Sequence, residues 1–257
     1  MSTALPVMVC VLVQSADAKD KPAAGTASRI AKLEQRVAQL EDQIGTEQDV
    51  EAIRVLQNTY GYYMDRMLFK QVVDLFSDHP VSVEVGGGGV HLGKADVIQV
   101  YGNGVDMGPI YGVLKEHFQL QEVIHVAPDR KTAKGRFHAL LLWALKPDDP
   151  QGQQWQIGIY ENEYVKEDGV WRISKLNYKQ VMTTPYLEGW GKTPLYSSCA
   201  SSTADLPTTW YHPYPEAGVF AFHYPNPVTG AVIPDMLDTT HYWKGNWPGE
   251  FGECGHR

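Results

Sequence analysis

Apolar residues follow a helical period through the first part of the chain and an alternating period through its middle. Ile30, Leu33, Val37, Leu40 and Ile44 recur at spacings of three and four with charges between them. That pattern predicts a short amphipathic helix of coiled-coil character over 29–45. Gly45-Thr46 is expected to break it, and Thr46-x-x-Asp49 resembles a capping box opening the next helix. Val50, Ile53, Leu56, Tyr60, Tyr63 and Met67 form the apolar stripe of that second helix. A short helix at 71–76, a strand at 81–85, a glycine turn at 86–89 and a helix from 95 to about 101 follow. From His117 the period changes to that of strands, at 117–126, 132–144, 154–165 and 170–180. Turn signals at Pro128-Asp129, 146–150 and 167–169 separate them. Short connections between long strands imply an antiparallel meander. Helices first and a meander afterwards read as α+β, with the helices covering one face of a curved sheet.

The flanks of this 46–184 domain differ in character. Residues 4–13 form an apolar run followed by Ala16-Asp17-Ala18, a small-x-small pattern, although no Lys or Arg precedes Lys19. Residues 1–18 are taken as an export signal and the protein as periplasmic or exported, with a polar linker at 19–28. Removing the signal would remove Cys10 and leave Cys199 and Cys254, as one bridge or as two free thiols. From Pro185 the chain is rich in Pro, Gly and aromatics such as Trp190, Trp210, Phe220 and Phe222. Residues 185–257 therefore read as an ordered arm that wraps the domain or a partner subunit.

Charge and composition exclude several classes. A net charge of −8 without a basic stripe argues against nucleic-acid binding. No apolar run reaches the roughly 18 residues that span a bilayer. Clustered Cys/His ligand spacing is missing, so no structural zinc is expected, and the 86–89 glycines lack the residues of a phosphate cradle. The strand 137–143 is apolar on both faces, which implies a homo-oligomer, dimer or trimer, with the 29–45 helix and the aromatic arm as contacts.

The candidate chemistry is a dispersed trio: Asp65, closing an aromatic run (Tyr-Gly-Tyr-Tyr-Met-Asp at 60–65), with His117 and His138 on neighbouring strands. One carboxylate and two imidazoles facing one cavity can move protons at neutral pH without metal or cofactor. Alternation puts His117, Gln119 and Gln121 on one face of their strand, and Lys134, Arg136 and His138 on one face of the next. Tyr60, Tyr63, Gln119, Arg136 and Tyr160 are the candidate substrate-binding residues. The bland alternatives are a solvated helix-end Asp, two structural histidines and an Arg136 paired with a surface Glu.

The order of elements over 49–180 resembles the NTF2-like, or SnoaL-like, superfamily of cone-shaped α+β domains. The resemblance rests on residues 60–65, Val73-Asp-Leu-Phe76, Gly89-Val-His-Leu-Gly-Lys94 and the hairpin 164–173 with Asp168-Gly169 at its turn. It implies a fold more than a chemistry, because the superfamily holds dehydratases, isomerases, hydrolases and non-catalytic members. Within it, Asp65, His117-Phe118 and His138 match the placement of an Asp, a His-Phe pair and a second His in scytalone dehydratases. The Tyr before that family's Asp is Met64 here, and its later Ser and Asn fall at Gly158 and Tyr160, which points to a different substrate. The runs 119–136 and 160–171 look like bacterial SnoaL-like proteins that include the diarylpropane γ-formaldehyde lyases of lignin-dimer breakdown. These resemblances imply a cofactor-independent lyase acting by acid–base catalysis on a small hydrophobic phenolic compound. The alternatives are a non-catalytic hydrophobic-ligand-binding or assembly module, and a double-bond isomerase using Asp65 and Tyr160.

Overall fold

Helix α1 runs unbroken from Ala24 to Asp65, in a computed structural model that describes residues 24–144, 152–187, 189–190, 203–209, 214 and 218–235. The expected export signal, the first part of the linker, all three cysteines and much of the aromatic arm lie outside the described residues. Two compact units make up the chain, 1–44 and 45–257. Of the first, the described residues are helical, including 24–28 of the expected linker, and their apolar stripe is exposed.

The expected break at Gly45-Thr46 does not occur, for a reason of packing. A Cβ on Gly45 would run into the Arg130 guanidinium, and one turn on Asp49 accepts a 2.6 Å hydrogen bond from Arg130 Nε. Gly45 and Asp49 therefore form a seat for Arg130 on one helical face. Asp49 is no cap residue: it also accepts from Lys166 Nζ at 2.6 Å and Trp171 Nε1 at 2.9 Å. Burial raises its pKa, but these bonds outweigh burial and bring it down to about 2. One carboxylate thus holds the helix to the β-turns at the far end of the sheet.

After α1 come α2 (Phe69–Asp74), β1 (Ser82–Val85), β2 (Val90–Leu92) and α3 (Lys94–Val100). The long strands β3 (Leu114–Val126), β4 (Thr132–Ala144), β5 (Gln153–Glu167) and β6 (Val170–Pro185) follow. The unexpected strand is β2, which places His91 opposite Val83. The six strands are ordered β2-β1-β6-β5-β4-β3, with β1 and β6 parallel and every other neighbour antiparallel. Register shifts at Leu120/Val123, Ile157/Gly158 and Glu163/Tyr164 add twist, and the sheet curls without closing. The core fills its concave side: Ile53 and Tyr60 of α1 and Val72 of α2 meet Val83, Phe137, Ile173 and Leu176. This is the expected α+β, NTF2-like architecture. Among the described residues no helix is long and apolar enough to cross a membrane.

Candidate active site

The C-terminal turns of α1 lie directly on β3. A Cβ on Gly61 would stand 2.6 Å from the His117 carbonyl oxygen, so only glycine allows this approach. One turn later, Asp65 Oδ1 accepts the backbone N–H of His117 at 2.6 Å and lies 3.5 Å from His117 Nδ1. The carboxylate fixes the strand and lies beside the ring, within ion-pair reach of Nδ1, which makes no hydrogen bond among the described residues. The Asp65 and His117 side chains are 9% and 3% exposed, so the pair works in a largely water-excluded setting. Burial pushes the imidazole below its ordinary 6.5; Asp65 pulls it back in part and Lys115 lowers it again. A lowered pKa favours the neutral imidazole at pH 7, and the aspartate beside it favours the protonated form.

The ring borders a cavity of about 280 Å³ inside the curl of the sheet, close to the lower limit of small-molecule pockets, which span roughly 300–1,000 Å³. Tyr60, Phe69, Tyr101, Trp143, Tyr160 and Tyr178 give its wall a large aromatic share. The Tyr60 and Tyr101 hydroxyls are 3.2 Å apart, the Tyr60 and Tyr160 rings meet edge-on at 5.9 Å, and Tyr160 and Tyr178 lie 4.8 Å apart. Burial holds the Tyr60, Tyr160 and Tyr178 phenols well above their usual pKa, so all three stay protonated. The Tyr178 hydroxyl is buried and has no hydrogen bond among the described residues. Its ring occupies the space a Cβ would need at Gly158. Lys115, two residues before His117 on the same face of β3, also lines the cavity and is only 8% exposed.

The structure brings His117, Tyr60 and Tyr160 to the cavity wall, sets Asp65 and Gln119 against His117, and leaves Tyr63, Arg136 and His138 away from the cavity. His138 is the main correction. It pairs with Leu120 on the outer face of the sheet, is exposed, and its Nδ1 lies 2.5 Å from Gln121 Oε1. Arg136 is on that outer face too, bonded to Glu161, to the Phe220 and Ala221 carbonyls at 3.0 Å, and stacked on Phe222 at 3.7 Å. It fastens the C-terminal segment and does not face the cavity. Gln119 is inward but committed: it accepts from Gln57 Nε2 at 2.9 Å and donates to the His117 carbonyl at 3.1 Å. Tyr63 packs at the edge of the core, and Met64 takes the place on the cavity wall. Lys115, Tyr178, Trp143 and Gly61 were not singled out from the sequence. Lys115 was findable, since alternation from His117 puts it on the same face. Among the described residues, no group of three or more His, Cys, Asp or Glu is placed to hold a metal ion.

Residues 46–177 match the family model of the SnoaL-like domain. None of the curated proteins matches the chain. Among solved structures it is similar to a protein described as a candidate scytalone dehydratase from Novosphingobium aromaticivorans, at 17% identity over 64% of this chain and 97% of that one, TM-score 0.48. It is also similar to the hexachlorocyclohexane dehydrochlorinase LinA, at 19% identity over 63% and 97% of the two chains, TM-score 0.45. A third is an NTF2-like protein with a cystatin-like fold from Novosphingobium aromaticivorans, at 17% identity over 59% and 89%, TM-score 0.42.

Proposed function

The chain belongs to the SnoaL-like family, and from that premise we propose that it is a cofactor-independent lyase for a small hydrophobic aromatic compound, with His117 as its base. One observation carries the reading: a buried imidazole braced by Asp65 at 3.5 Å opens into an aromatic cavity that also holds an unpaired phenol. Such convergence of titratable groups in an apolar cavity favours a reaction site over a hydrophobic-ligand binder. The tautomer with its N–H on Nδ1, toward Asp65, would leave the Nε2 lone pair as the base.

One imidazole suffices for either lyase reaction. In a dehydration, His117 takes a proton from the carbon next to the one bearing the hydroxyl. The C–O bond breaks, and the same proton passes to the departing oxygen, which leaves as water. In a formaldehyde-releasing cleavage, His117 takes the proton of a terminal hydroxyl, the adjacent C–C bond breaks, and the resulting carbanion recovers the proton. Both schemes return a neutral imidazole, and the Tyr178 hydroxyl can donate to the reacting oxygen. The cavity volume fits one ring with a short side chain better than two rings, so a diarylpropane such as a lignin dimer would place its second ring outside. Asp65, already engaged by the His117 backbone, is a poor candidate for the base of an isomerase.

The test is turnover of aryl-propanediol and hydroxy-tetralone substrates by H117Q, D65N and H138Q. General-base removal is expected to lower kcat by about 10²–10⁴-fold in H117Q, with a smaller fall in D65N and parental rates in H138Q. Parental rates in H117Q would overturn the proposal. Binding of such compounds without turnover by the parent would favour the binder.

A further inference from the structure

Lys115 is the charged group on the cavity wall that the proposed reaction leaves unused. Its ammonium lies 5.3 Å from the centroid of the Phe69 ring and 5.1 Å from that of Trp143. Among the described residues its ammonium makes neither a hydrogen bond nor an ion pair, although it is not sealed from solvent. Asp65, the nearest candidate counter-ion, directs Oδ1 at the His117 backbone and ring. A buried cation held between two rings retains only part of what it loses on leaving water, because cation–π attraction is weaker than full hydration. Burial accordingly pushes the Lys115 amine below its usual pKa, with Asp65 pulling it back in part. What the site lacks is an anionic oxygen, and the space for one is the cavity itself.

We propose that Lys115 is the specificity determinant of the cavity, pairing with an anionic oxygen, carboxylate or phenolate, carried on a one-ring aromatic substrate. The ring lies along the tyrosine wall and the anionic oxygen meets Lys115 between Phe69 and Trp143. This orientation presents the substrate's side chain to His117, two residues along the same strand face. The inference rests on reading this cavity as the ligand site, and it holds whether or not chemistry follows binding.

Calorimetric titration separates the two. The probes are 4-methoxybenzoate, its uncharged isostere 4-methoxybenzamide, and 4-methoxyphenol as the phenolate arm, titrated into parent, K115M, K115R and H117Q. The benzoate is expected to bind the parent about tenfold or more tighter than the amide, as a charge-assisted bond would give. That preference is expected to persist in K115R and H117Q and to vanish in K115M. Tighter phenol binding as the pH rises toward its ionisation would identify phenolate as the form preferred. Methionine keeps the length and apolar stem of lysine, so K115M is expected to melt at or above the parent temperature. If K115M does not fold, the preference for benzoate over amide in the parent must weaken as the lysine deprotonates at alkaline pH. Equal affinities in the parent, no binding of any probe, or a preference that survives K115M or alkaline pH overturns the assignment. Unchanged turnover in H117Q would instead strike the proposed base and leave this pairing intact.

Discussion

At the residue scale the site is an imidazole whose basicity is set by three neighbours, and the pH profile is where they become measurable. Burial lowers the His117 pKa, Asp65 raises it in part and Lys115 lowers it. A base with a depressed pKa stays unprotonated to lower pH, so the acid limb of kcat/KM is expected to fall below 6.5. Replacing Lys115 by Met removes a nearby positive charge and should move that limb to higher pH. Replacing Asp65 by Asn removes the group that favours the imidazolium and should move it lower. Rate-against-pH curves for parent, K115M and D65N check the signs, and a common limb in all three would show that His117 does not titrate in catalysis. Asp65 and His117 were legible in the sequence because a helix-end carboxylate and a strand-opening imidazole meet wherever such a helix lies on such a strand. His138 was misjudged because alternation fixes the face within one strand but not the phase between two. On the turn side of β3 and β4, Val126 pairs with Ala133 and Val123 with Arg136; past the bulge, Leu120 pairs with His138 and His117 with Leu141. One extra residue in β3, with Gln121 at φ 50°, flips the phase. Without it His138 would share the face of His117. Nothing in Leu120-Gln-Glu-Val123 announces a bulge, since the usual glycine is not there.

At the scale of elements, the site depends on how closely α1 can lie on β3, and Gly61 decides that. Alanine at 61 would gain about 1 kcal/mol of helix propensity over glycine. It would also press its methyl to 2.6 Å from a strand carbonyl, which cannot rotate aside as a flexible side chain could. Overpacking of this kind costs about 1–3 kcal/mol, so the steric term wins. G61A is expected to destabilise the 45–257 unit by up to about 2 kcal/mol, or several degrees in Tm at roughly 2–4 °C per kcal/mol for its size. It should also lower kcat more than KM, because the helix carries Asp65 away from His117. A G61A enzyme with parental kcat would show that the Asp65–His117 geometry is not limiting. The four long strands were legible to within about five residues, since long alternating runs bounded by turn residues leave little choice, whereas the three-residue β2 was not. The helix boundary at Gly45-Thr46 was not. A glycine that ends one helix and a glycine that makes room for an arginine on another look the same in sequence, and Arg130 is 85 positions away from Gly45.

At the scale of the whole molecule, apolar surface is left over in several places among the described residues, and two of them make their own claim on a second copy. Ile30, Leu33, Val37, Leu40 and Ile44 are between 40% and 58% exposed along residues 24–44, the described part of the first unit. In the second unit Phe118 and Leu120 on the outer face of the sheet are 45% and 43% exposed. The heptad spacing of the first set is that of a helix seam, which buries its a and d positions only against another helix. Two heptads form a short seam, and association carries its own cost of about 4–15 kcal/mol in lost freedom. We therefore expect a homo-oligomer whose dissociation falls in a measurable concentration range. In sedimentation velocity, the parent should pass from monomer to a larger species as concentration rises. L33D combined with L40D places a charge in each heptad of the seam and should hold the chain at monomer mass. L120D tests the sheet face in the same way. The proposed catalytic pair, Asp65 and His117, lies wholly within the second unit, so the seam variant is expected to keep the parental kcat. Loss of assembly in L120D alone would move the contact to the sheet and leave the helical stripe to another partner, whereas a parent that is monomeric at every concentration would remove the oligomer altogether.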